Sequence, residues 1–95
     1  MISPDRHDTV VVSAQVAVYP LRQEHVAPAI QVVTDALIAA DLRPEVGSMS
    51  TLVVGDSHAL FAALHEGFLR AAAQGPVVMT ITVSNACPLP PAENR

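Results

Sequence analysis

Four histidines, one cysteine and nine carboxylates are the residues of this 95-residue chain that could serve as metal ligands, nucleophiles or acid–base groups. Their spacing argues against each use. His58 and His65 stand seven residues apart on one helical stretch, a rise of ~10.5 Å, too far to grip one metal ion without a third element, so they read as surface residues. His25 and His7 add no HxxxH or HxxEH pattern, which leaves a metalloenzyme without positive evidence. Cys87 could pair with a histidine as a nucleophile, but no signature of a catalytic cysteine surrounds it, and structural or pocket-lining use is the preferred reading. Being single, it also excludes an intramolecular disulfide framework and a CxxC redox pair. The glycines at 47, 55, 67 and 75 are isolated, so neither GxGxxG nor a P-loop offers a cradle for nucleotide phosphates.

What remains is chemistry of recognition. Asp56 reads as a helix cap and Glu45 as a solvated strand residue; the sharper alternative for either is a carboxylate that pairs with a cationic ring or an amino group. Met49 is core filler or an adaptable wall for a flat heterocycle. The net charge of −4, from five arginines, no lysine and nine acids, lacks the basic footprint that nucleic-acid binding needs. No apolar stretch approaches the ~20 residues that span a bilayer, and the first ten residues lack the apolar core of a secretory signal. The expectation is a soluble cytoplasmic protein with no membrane insertion and no nucleic-acid partner.

The elements that must position these residues follow from periodicity. Residues 1–9 and the Pro-rich residues 89–95 read as tails around one domain over 10–88. Val10 to Tyr19 alternates as a first strand ended by Pro20, with Val10, Val12, Ala14, Val16 and Val18 on one side and Val11, Ser13, Gln15, Ala17 and Tyr19 on the other. Val26, Ile30, Val33, Leu37 and Ala40 form a helical stripe, and Pro28 requires that this helix begin late, near Glu24 to Ala27. Asp41 and Pro44 close it. Glu45 to Ser50 is a short extended segment with a turn or bulge near Gly47, and Thr51 to Val54 is a third strand. Asp56 or Ser57 caps a second helix whose stripe, Leu60, Phe61, Leu64, Phe68, Ala71 and Ala72, ends at Gly75 and Pro76. Val77 to Ser84 alternates as a fourth strand.

The order β-α-β-β-α-β predicts an α+β fold: a ferredoxin-like βαββαβ sandwich, a four-stranded antiparallel sheet with two helices on one face. The other face is then open. It carries Ser13, Gln15, Tyr19, Thr80, Thr82 and Ser84 among Val11, Ala17 and Val78, too apolar for plain solvent and too polar for a dry core. Such a mixture suits a face that packs on another sheet and leaves a small hydrogen-bonding pocket. With 51% apolar residues and only 3% aromatic ones, the strand surplus of Val, Ala and Thr also points to a second buried face and so to self-association.

Three segments, Ala14-Gln-Val-Ala-Val-Tyr-Pro-Leu21, Met49-Ser-Thr-Leu-Val-Val-Gly55 and Val77-Val-Met-Thr-Ile-Thr-Val-Ser-Asn-Ala-Cys-Pro88, resemble in order and spacing the YkoF family of thiamine- and hydroxymethylpyrimidine-binding proteins. The resemblance implies a non-catalytic ferredoxin-like domain with no cofactor, which binds thiamine or its hydroxymethylpyrimidine moiety in vitamin B1 salvage, transport or sensing. Because some family members carry two repeats in one chain and this chain has one, and related single-domain proteins assemble through their sheets, it also implies a homodimer or homotetramer through the sheet face. Carried onto this chain, the family pattern marks Tyr19, Ser50, Thr51 and Cys87; Ala86 and Leu89 stand where the family has glycine. Met49 is added as a wall for the ring, and strand alternation adds Thr80, Thr82, Ser84 and Asn85. An aminopyrimidine offers ring-nitrogen acceptors and an amino donor that such hydroxyls and amides can read. The rival expectation is a structural or regulatory oligomerisation module that binds a partner protein through the open sheet face. An enzyme using Cys87 is a distant third.

Overall fold

A computed structural model describes residues 10–22 and 25–86. The valine-dense first segment forms β1 (Val11–Pro20), followed by α1 (Ala27–Ala39), β2 (Glu45–Val46), β3 (Thr51–Asp56), α2 (Ser57–Ala72) and β4 (Val77–Ser84). The four strands make one sheet in the order β2-β3-β1-β4, with every neighbouring pair antiparallel. This is the ferredoxin-like arrangement expected from the element order.

The strands run longer at their paired ends than periodicity alone placed them. Gly55 and Asp56 extend β3 because they pair with Val12 and Val11, and Pro20 completes β1 opposite Val77. Between β2 and β3 the chain reverses tightly, with the Gly47 N–H donating to the Ser50 carbonyl at 2.8 Å, so only Glu45 and Val46 of the extended segment are strand. Ser48 and Met49 form the tip.

Helix α1 opens with Pro28 in its first turn, where a missing N–H costs nothing. It ends at Asp41, whose φ of 69° turns the chain while the Leu42 N–H closes on the Leu37 carbonyl at 3.1 Å. Helix α2 opens at Asp56, whose carboxylate accepts from the Ala59 N–H at 3.1 Å; the capping role is the one this side chain performs.

One face of the sheet and the two helices enclose the core. Val12, Ala14, Val16 and Val53 meet Leu37, Leu60 and Leu64, and full burial of Leu37 and Leu60 contributes about 1.5–3 kcal/mol each. The helices also press on each other through small residues. A Cβ on Gly67 would lie 3.1 Å from the Val33 Cα and 3.5 Å from the Ala36 Cβ, so glycine permits a close approach of the helices there, and Ala29, Ala36, Ala63 and Ala71 are all buried.

That approach corrects the helical stripes expected from sequence. Both helices turn their small residues toward each other, and the bulkier Phe61 and Phe68 of α2 fall outside the core, exposed beside β4. Ala72 is exposed as well, and Val26 precedes α1 and lies in solvent.

Candidate functional site

Direct cross-strand partners project to the same side of a sheet, so the register identifies the uncovered face. Ser13, Gln15, Ala17 and Tyr19 of β1 stand opposite Ser84, Thr82, Thr80 and Val78 of β4, and Gln15 stands opposite Leu52 of β3. None of these eight β1 and β4 side chains contributes to the core, in contrast to Val12, Ala14 and Val16 at the alternate positions of β1.

The face is not flat. The β2–β3 hairpin tip lifts Met49 and Ser50 at its margin and forms a concavity of about 250 Å³ with Gln15, Ala17 and Tyr19 on one side and Thr80 and Thr82 on the other. The Gln15 Nε2 donates to the Ser50 Oγ at 3.2 Å, holding the tip against the centre of the sheet. Tyr19 is half exposed, and Met49 at 78% exposure is no core filler. A neighbouring concavity of about 350 Å³ shares Gln15, Met49 and Ser50 and continues over Leu52 to Glu45.

Of the residues marked by sequence, the structure therefore brings together Tyr19, Met49, Ser50, Thr80 and Thr82. Thr51 stands apart. It is 7% exposed, opposite Val16, and faces the helices beside a hollow of about 40 Å³ that Ile30 and Val33 help to line. Ser84 lies at the far end of the face, where its Oγ accepts from the Ala86 N–H at 2.9 Å, and Asn85 is exposed in the bend that follows. Cys87 lies outside the described residues.

Gln15 is the functional candidate that motif reasoning passed over. Its signal is the two-residue period of β1, which puts it on the same face as Ala17 and Tyr19. The concavity holds amide, hydroxyl and phenol groups, and Ser50, Thr80 and Thr82 can each donate or accept. Such groups can hydrogen-bond to the edge of a small polar molecule. It contains no nucleophile paired with a base. Among the described residues no three His, Cys, Asp or Glu side chains gather as a metal site, and no helix is long and apolar enough to cross a membrane.

The fold recurs among solved structures. A hypothetical protein of Methanocaldococcus jannascii superposes with a TM-score of 0.73 at 22% identity over 79% of each chain. A domain of unknown function from Bacillus cereus gives 0.71 at 18% identity over 90% of this chain and 88% of that one. A Thermotoga maritima protein, for which a part in thiamine biosynthesis or salvage has been suggested, gives 0.69 at 16% identity over 78% of this chain and 82% of that one. At these identities the likeness establishes the fold. No curated protein matches the chain. The sequence model of the YKOF-related family matches residues 11–90.

Proposed function

The chain belongs to the YKOF-related family, and from that premise we propose that it is a non-catalytic binding protein for thiamine or its hydroxymethylpyrimidine moiety, working in cytoplasmic salvage, transport or sensing of the vitamin. The observation that carries the reading is the concavity on the open face, where Gln15, Ser50, Thr80 and Thr82 surround a space beside the Tyr19 ring. Each polar edge of an aminopyrimidine finds a partner of the opposite kind among an amide and three hydroxyls, while Tyr19 and Met49 offer it apolar contact. The suggested thiamine role of the Thermotoga structural neighbour points the same way.

The site is shallow, and a ligand of this size needs most of its surface covered. Val11, Tyr19, Leu52 and Val78 are each 42–50% exposed on the same face, so a second copy laid across the sheet would bury them and roof the concavity. A homodimer or homotetramer built through the sheet face is accordingly part of the proposal.

Isothermal titration of the purified protein with thiamine and with hydroxymethylpyrimidine tests it. Saturable heat with a matching thermal stabilisation is expected; no heat and no shift at millimolar ligand would overturn it. The same exposed apolar residues favour a second reading, an oligomerisation module that binds a partner protein through the open face. Size measured by light scattering, together with absence of any ligand binding, would favour that module.

A further inference from the structure

We infer that the site has two lobes, one neutral and one anionic, and that Glu45 is the residue that makes it prefer a cationic two-ring ligand over its neutral half. The inference rests on the ligand class proposed above and adds which part of the ligand lies where. Glu45, Leu52, Gln15 and Thr82 form one row across all four strands, because Glu45 pairs with Leu52, Leu52 with Gln15 and Gln15 with Thr82. All four therefore project from the open face.

The hydroxyl-lined concavity lies at the Thr82 end of this row and the Glu45 concavity at the other. They share Gln15, Met49 and Ser50, so the Gln15–Ser50 hydrogen bond marks the junction. With strands ~4.8 Å apart, Gln15 and Glu45 are separated by about 10 Å along the row, the reach of two rings joined by a short link. Between them Leu52 is half exposed and supplies an apolar floor, with Met49 alongside.

The charges fall on one side only. Among the described residues the open-face strand positions hold two carboxylates, Glu45 and Asp56, and Asp56 is committed to capping α2. No arginine lies within any of the four strands. An apolar floor beside a carboxylate that caps no helix fits a flat organic cation such as a thiazolium, whose diffuse charge loses less on leaving water than a compact ammonium does and is paired there by Glu45. A neutral aminopyrimidine fits the other lobe and gains nothing from Glu45.

The test compares thiamine with neutral hydroxymethylpyrimidine by titration on the wild type, Glu45→Gln and Tyr19→Leu, at low and high sodium chloride. Glu45→Gln should weaken thiamine by roughly two- to five-fold, the range of a solvent-exposed ion pair, and leave hydroxymethylpyrimidine unchanged. Thiamine affinity of the wild type should fall with salt while that of the pyrimidine does not. Equal effects of Glu45→Gln on both ligands, or no effect on either, overturn the inference and leave the binding function standing. A selective loss of thiamine in Tyr19→Leu but not in Glu45→Gln also overturns it, by placing the cation over the phenol ring. Absence of binding by both ligands to the wild type overturns the proposed function itself.

Discussion

The Gln15 Nε2 donates to the Ser50 Oγ at 3.2 Å, a bond between residues 35 apart in sequence that ties the middle strand of the sheet to the tip of the β2–β3 hairpin. It sets the position of Ser50 and Met49 over the open face. Gln15→Ala should lower affinity for thiamine and hydroxymethylpyrimidine together by about five- to tenfold, the worth of one lost hydrogen bond and a loosened tip, as read by titration. The variant should melt close to the wild type, because Gln15 is exposed and bears no load in the core.

The two faces of β3 and β4 give a matched pair of substitutions. Thr82→Val keeps the shape of an open-face side chain and removes its hydroxyl, which should cost about 1 kcal/mol of binding. Thr51→Val makes the same change on the side covered by the helices, and affinity should stay within about two-fold of wild type. An equal loss in Thr51→Val would show that the ligand also reaches beneath the hairpin.

Tyr19 is the single tyrosine of a chain without tryptophan, so its emission reports the site alone. Ligand binding should quench or shift that signal with the same midpoint as the titration heat. Tyr19→Phe should bind with nearly unchanged affinity if the ring acts as a wall, whereas Tyr19→Leu should lose about 0.5–1.5 kcal/mol, the aromatic contribution beyond simple area.

Val78 lies opposite Tyr19 on the open face and is 42% exposed. If copies associate through that face, Val78→Glu would bury an unpaired carboxylate in the contact and should convert a dimer or tetramer to monomer by light scattering. Its melting temperature should then become independent of protein concentration.

Gly67 tests the packing that positions everything else. A valine there would drive its side chain into Val33, and the helices would have to part. Gly67→Val should destabilise the fold by at least about 2 kcal/mol in chemical denaturation, the steric cost of overpacking outweighing the better helix propensity of valine.

Much of the architecture is written in local periods. Strict two-residue alternation in Val11–Tyr19 and Val77–Ser84 identifies the two strands at the site and even which residues share a face, since a strand admits no other projection. The Asp56 cap, the late start at Pro28 and the stop at Asp41 are equally local, each satisfying or sparing a backbone group within a turn. Helical stripes are less determinate. Phe61 and Phe68 fit a core-facing period as well as Ala63 and Gly67 do, and only the close approach of α1 to α2 decides in favour of the small residues.

The site divides in the same way. Sequence by itself settles the fold class, the family, and the candidacy of Tyr19, Thr80 and Thr82, because those follow from alternation and short motifs. Tertiary structure alone decides that Thr51 turns inward while its neighbour Ser50 turns out, that Gln15 anchors the hairpin, and that Glu45 shares a row with Thr82. Those facts depend on register between strands distant in the chain, and a shift of one residue would send every side chain to the opposite face.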